Sequence, residues 1–212
     1  SLMDPLTKLS ELFKEFPGIG PRQARRFAYF LLTRNNGFVS ELTQSIENLR
    51  KNIKICTSCF RYFPLGVKTE QNLCSICVSP NRDTQLLMIV SHDNDVDHME
   101  RTGLFNGLYF VLGGSVPILE KEPENKIRLK ELLSVINNKC STSDVEHLKE
   151  VILALDLNPE GEHTEIFLKK QISPLAETHT FTLSTLGRGL STGTEIEYSD
   201  TETLKNALKN RE

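Results

Sequence analysis

The 212-residue sequence has no unbroken apolar run longer than six residues, Phe27–Leu32, and Leu86–Val90 has five, so no segment is long enough to span a bilayer as a helix. It has no charged-then-apolar leader ahead of a small-residue cleavage site, and the expected location is the cytoplasm. It lacks Gly-x-x-x-x-Gly-Lys-Ser/Thr, which excludes a P-loop ATPase, and no Gly-x-Gly-x-x-Gly follows a predicted strand to suggest a dinucleotide site. Internal repeats and low-complexity stretches are also missing. At 38% hydrophobic and 25% charged, the composition is that of a folded chain rather than a disordered one. Net charge is small, −3, but unevenly spread: residues 1–60 carry +4 and the remainder −7. A polyanion is therefore expected to meet the N-terminal part and avoid the rest.

Apolar periodicity organises the chain. Leu6, Leu9, Leu12, Phe13 and Phe16 share one face of a first helix that ends near Pro17. Gly18-Ile19-Gly20 makes a tight turn, and Pro21 suits the first position of a second helix whose buried stripe is Ala24, Phe27, Ala28, Leu31 and Leu32. A third amphipathic helix is predicted with Val39, Leu42, Ile46, Leu49 and Ile53 inward. From Leu86 the rhythm changes to short apolar runs, Leu86–Val90, Leu108–Leu112, Val151–Leu155 and Phe181–Leu186, separated by stretches of helical length. That alternation predicts βα units on a mostly parallel sheet. A helix over Ile127 to Ile136 and a terminal helix near 200–209 complete the pattern.

Four of the five cysteines form Cys56-x-x-Cys59 and Cys74-x-x-Cys77, with fourteen residues between the pairs. Two such knuckles can converge as four thiolates around a tetrahedral Zn²⁺, and a full set of four leaves the metal structural rather than catalytic. The alternative is two disulfides or four unrelated thiols, which a reducing cytosol disfavours. Residues 55–79 have too few apolar side chains to fold alone, so a metal would stabilise them directly. Cys140 reads as a spare thiol.

Phe16-Pro-Gly-Ile-Gly-Pro-Arg-Gln-Ala-Arg-Arg26 resembles the helix-hairpin-helix motif of DNA-binding proteins. Glycines let the backbone approach a phosphate, and the N-terminus of the second helix favours an anion. Arg22 and Arg26, four apart, can each neutralise a phosphate without reading a base. An ordinary αα-hairpin with a solvated basic face explains the same spacing, and Lys51 and Lys54 either extend the patch or are simply solvated.

Asp156-Leu-Asn-Pro-Glu-Gly-Glu162 follows a predicted strand and leads into a helix, which resembles the Toprim signature of topoisomerases, bacterial primases and recombination mediators. Catalytic members carry a Glu at the end of the first strand and an Asp-x-Asp pair at this turn, which hold Mg²⁺. Here Ser91 stands at the first position and Asn158 at the last, leaving Asp156 with Glu160 and Glu162 one turn on. The loop reads as an acidic docking surface, or as acids that complement a helix N-terminus. His92 and His98 have no metal-like partner in the sequence.

In order and spacing these elements, with Ser79-Pro-Asn-Arg-Asp83, Gly107-Leu-Tyr-Phe-Val-Leu-Gly-Gly114, Gly187-Arg-Gly-Leu190 and Glu195-Ile-Glu197, resemble the RecR family of bacterial recombination mediators from Leu6 to Arg211. The resemblance implies an α+β multi-domain chain: a helical helix-hairpin-helix region over 3–54, a four-cysteine zinc finger over 55–80, an α/β Toprim domain with a mostly parallel sheet over 84–186, and a helical oligomerisation segment over 187–212. It implies a non-enzymatic protein of recombinational DNA repair that works with RecO and RecF to load recombinase on gapped or single-stranded DNA. It also implies a ring-like homotetramer in which N-terminal hairpins pair and the C-terminal segment reaches a neighbour. Arg22 and Arg26 fall on its sites of DNA contact, and Glu160 and Glu162 on its partner-binding face. Three departures stand out: the interval Phe60–Leu73 is long, predicting an extra surface loop; Ser91 replaces a common Glu; and the acidic turn has an unusual lead-in, Asp156-Leu-Asn-Pro159. A Mg²⁺-dependent Toprim enzyme, using Asp156 and Glu160, and a zinc-stabilised protein-interaction module are the competing readings.

Overall fold

The computed structural model describes residues 4–66, 72–141, 147–186, 196 and 201–211. The chain forms two compact units, Ser1–Ile53 and Lys54–Glu212. The first is helical: α1 (Pro5–Lys14), α2 (Pro21–Leu32) and α3 (Asn36–Asn52). Asp4 caps α1 by accepting from the Leu6 and Thr7 amides, and Asn35 caps α3 by accepting from Phe38 N at 2.9 Å. Ala24 and Ala28 of α2 are buried, and Phe13 of α1 meets Phe27 edge-on at 5.8 Å between centroids.

The periodicity overstates burial in this unit. Leu12, Phe16 and Leu32, expected on buried faces, are exposed. More tellingly, α3 buries none of its residues: Val39, Leu42, Ile46 and Leu49, expected inward, are 37–62% exposed. An apolar stripe shows that a helix is amphipathic, but it does not say that the cover comes from the same chain.

The second unit opens with a two-stranded sheet, β1 (Ile53–Ile55) and β2 (Tyr62–Pro64), then a single turn, α4 (Ser75–Val78). The elements β3 (Asp83–Val90), α5 (Asp93–Thr102), β4 (Gly107–Val111), α6 (Leu129–Cys140), β5 (Glu150–Ala154), α7 (Pro159–His179), β6 (Thr182–Thr185) and α8 (Thr201–Lys209) follow. The strands pair in the order β4-β3-β5-β6, every pairing parallel, as the alternation predicts. β3 and β5 are central, so Leu87 to Val90 and Val151 to Ala154 are buried on both faces, which explains why they read as continuous apolar runs. The order reverses direction between β3 and β5, which places Ser91 and Asp156, just beyond their C-terminal ends, at the switch point where α/β sheets bind ligands.

Near the C-terminus, Ile196, Leu204, Ala207 and Leu208 join the core, and the Arg211 guanidinium grips the Glu150 carboxylate at 2.6 and 3.1 Å. Gly187–Leu190, Glu195 and Glu197 lie outside the described residues, as do 67–71 of the long cysteine interval. Among the described residues no helix is long and apolar enough to cross a membrane.

Arg82, from the Ser79–Asp83 motif, fastens this unit. Its guanidinium pairs with both oxygens of Glu100, which also accepts from Tyr109 Oη at 2.7 Å. Burial works to raise the Glu100 carboxyl, but Arg82 and Tyr109 overcome it and hold the group below its ordinary value. Arg82→Ala is expected to cost roughly 2 kcal/mol at pH 7, less than a fully buried pair because Glu100 keeps some solvent contact. Because the folded-state value is depressed, the pair's contribution is full above an unfolded pKa of about 4.3 and is lost as pH falls through the folded one. Urea unfolding at pH 7 and at about pH 3 should therefore show the full penalty at the first and a smaller one at the second.

Candidate nucleic-acid interface and metal centre

The hairpin between α1 and α2 turns on Gly18, whose φ of +76° is costly for other residues, and Ile19 N donates to Phe16 O at 3.1 Å. Gly20 is the N-cap of α2 and Pro21 its first residue; no side chain caps this end. Gly20 has an ordinary φ of −82°, and a Cβ there would meet nothing within 4 Å. The fold itself does not require glycine at that position, whereas close approach by an external group would. Arg22, Arg25 and Arg26 are all exposed on α2, on the side away from Ala24 and Ala28. Arg22 and Arg26 thus share an open face beside an uncapped, partly positive helix end. Arg25 joins them, a residue that the four-residue spacing passes over but the three-residue spacing from Arg22 marks. Lys51 and Lys54 are engaged elsewhere, with Glu47 at 3.8 Å and Asn72 at 3.1 Å.

The four cysteines converge. The sulfurs of Cys56, Cys59, Cys74 and Cys77 all lie within 4.8 Å of one another, and all are free thiols. The Cys59–Cys74 separation of 3.6 Å is close to the edge of about 3.8 Å expected for a tetrahedron with metal–sulfur bonds of about 2.3 Å. Cys74 N donates to Cys56 Sγ at 3.3 Å, the kind of bond that orients a thiolate ligand. Hydrogen bonds from Cys59, Cys74 and Cys77 pull the Cys56 thiol far below its usual value. The donor set thus fits a soft divalent metal. Cys140 is separate and buried, and burial pushes its thiol up.

This module is fastened to the sheet mostly by residues outside the sequence motifs. Val111 N on β4 donates to Cys59 O at 2.8 Å, and the Arg128 guanidinium donates to Phe60 O and Val111 O at 3.1 and 2.8 Å. Arg61 pairs with Asp97 at 2.8 Å, and Tyr62 N donates to Asp93 at 2.7 Å. Asp95 accepts from His92 N at 2.8 Å. The acids of α5 therefore have structural partners.

At the acidic turn, two of the three positions where Toprim chemistry uses carboxylates, Ser91 and Asn158, carry other groups, and Asp156 keeps its carboxylate. Ser91 is fully buried, and its Oγ has no hydrogen-bond partner among the described residues. Asn158 caps α7, its Oδ1 accepting from Gly161 N at 2.8 Å. Asp156 is buried, whereas Glu160 and Glu162 project into solvent from the first turn of α7. Their position is fixed by two contacts. Thr164 accepts from Val116 N at 2.8 Å, and Gly161 lies so close to Asp156 that a Cβ would stand 1.9 Å from its carbonyl oxygen. Gly161→Ala is accordingly expected to displace the turn and cost more than about 3 kcal/mol, read as a lowered denaturation midpoint.

Family models match along the chain: RecR helix-hairpin-helix over residues 6–50, a Toprim domain over 85–186, and RecR C-terminal over 189–212. The chain is 36% identical over 209 residues to the recombination protein RecR of Carboxydothermus hydrogenoformans, covering 98% of this chain and 96% of that one. It is 35% identical to those of Roseiflexus castenholzii, over 99% of this chain and 94% of the relative, and Legionella pneumophila, over 99% and 96%. With its hairpin, four-cysteine cluster and parallel sheet in the same order, the chain belongs to the RecR family, non-enzymatic DNA-binding proteins of recombinational repair.

Proposed function

We propose that this chain acts as an oligomeric clamp and scaffold that holds gapped or single-stranded DNA without reading its sequence, in the cytoplasm. The observation that carries this reading is the open arginine face of α2 beside an uncapped helix end and a glycine that no internal contact requires. Arg22 and Arg26 neutralise phosphates there, while the acidic second unit repels the polyanion. Glu160 and Glu162, exposed at the start of α7, offer the charge for docking a basic surface of RecO or RecF. Fluorescence anisotropy at about 50 mM salt should show Arg22→Ala/Arg26→Ala weakening binding to single-stranded and gapped DNA roughly ten- to hundredfold. Retained affinity in the double variant would contradict the assignment.

The oligomer is supported by α3. Phe38, Val39, Leu42, Ile46 and Leu49 fall within a stripe about 100° wide along 17 residues, and all are exposed. Such a stripe is covered in a soluble protein, and a second copy supplies a matching apolar surface without bringing the arginine faces together. Ile46→Glu is expected to lower the molar mass measured by light scattering, with the helical circular dichroism signal retained.

Zinc is the metal the four-cysteine set favours, held by Cys56, Cys59, Cys74 and Cys77 in a closed structural site. One zinc per chain is expected by elemental analysis. Cys56→Ser or exhaustive chelation should remove it and lower the unfolding midpoint, because the surrounding strands are only three residues each.

A further inference from the structure

The basic face of α2 contains one residue that charge does not explain. At about 100° per residue, Tyr29 falls between Arg22, Arg25 and Arg26 on the side opposite Ala24 and Ala28, and it is 48% exposed. The Arg25 guanidinium lies over its ring at 5.9 Å from the centroid, at the outer limit of a cation–π contact of about 6 Å, so the contact is loose and the ring keeps open surface. The other exposed aromatics of this unit are occupied. Arg34 lies 4.2 Å from the Phe30 centroid, Phe30 meets Phe38 edge-on at 6.1 Å, and Phe16 leans on Phe13 at 6.1 Å. Among the described residues, Tyr29 meets no other aromatic ring.

A half-exposed ring on a face that carries three arginines restricts what can cover it. A second copy presenting the same face would set arginines against arginines, and the uncharged stripe of α3 is the better surface for that purpose. A nucleic-acid strand satisfies both features, with phosphates on the arginines and a base on the ring. In a duplex the bases are already stacked on one another, so the ring gains only from unpaired ones.

We propose that Tyr29 stacks an unpaired base and thereby biases this face toward single-stranded over duplex DNA. The inference rests on the DNA-binding reading above and names the residue that selects the form of DNA. Wild type, Tyr29→Phe, Tyr29→Leu and Tyr29→Ala are compared on a single strand containing 2-aminopurine and on a blunt duplex of the same sequence. Tyr29→Ala and Tyr29→Leu should each weaken single-strand binding roughly five- to hundredfold, leave duplex binding within about twofold, and leave the salt slope unchanged. Tyr29→Phe should keep wild-type affinity, and the 2-aminopurine fluorescence change should survive only in the aromatic variants. Wild type that binds with a salt slope while Tyr29→Leu weakens both DNAs equally, or neither, overturns the stacking role alone. Wild type that binds neither DNA overturns the DNA-binding reading and the stacking role together. A drop in molar mass in Tyr29→Leu would make the ring a subunit contact and also refute the proposal.

Discussion

Four cysteine sulfurs confined within 4.8 Å of one another are the constraint on which the second unit depends. Four thiolates at that separation would repel one another, so a cation held among them would stabilise the arrangement, and the surrounding pieces are too small to do so by themselves. Two three-residue strands and a four-residue helix lie far below the size that folds unaided. Once the knuckles are set, Phe60 is held at a φ of +60°, with its ring on Phe110 and its carbonyl turned to Arg128. Cys59 O receives the Val111 amide of β4, an edge strand whose unpaired groups would otherwise invite another strand. The cysteine cluster is thereby tied to the sheet.

The sheet then positions a turn of fixed shape that carries only one of the three Toprim carboxylates, Asp156. Gly161 still packs against Asp156 too closely for any side chain, and Asn158 caps α7, so the turn is rigid. Ser91 contributes no charge, and its hydroxyl is buried without a partner among the described residues. What remains outward is the pair Glu160 and Glu162, a surface feature rather than a reactive one. The proposed scaffold would use this division: a rigid acidic face on one unit and an open basic face on the other, suited by charge to different kinds of partner.

Much of this was legible in the residues. The alternation of short apolar runs predicted the four parallel strands because strands buried on both faces have no polar side, and the CxxC spacing predicted the convergence of four sulfurs because each knuckle presents two. The hairpin was readable from glycine and proline chemistry. Periodicity misled at α3, where Leu42, Ile46 and Leu49 look like core and are exposed, since a pattern of apolar residues identifies a face and not its cover. Arg128, Arg61 and Asp97 were illegible for a different reason. They join segments 17 to 68 residues apart, and nothing local marks a side chain whose partner is a distant carbonyl or carboxylate. Tyr29 is intermediate: its place on the basic face follows from helical spacing, while its half-exposed ring stands out only once Phe30, Phe38 and Phe16 are seen to be occupied.

Whether DNA is held through its phosphates is decided by measuring affinity for two single strands of equal length and scrambled sequence over a salt series. Phosphate contacts require affinities equal within about twofold and a log–log plot that falls linearly with salt as counterions are released. Affinity that depends on sequence, or that is indifferent to salt, would refute them.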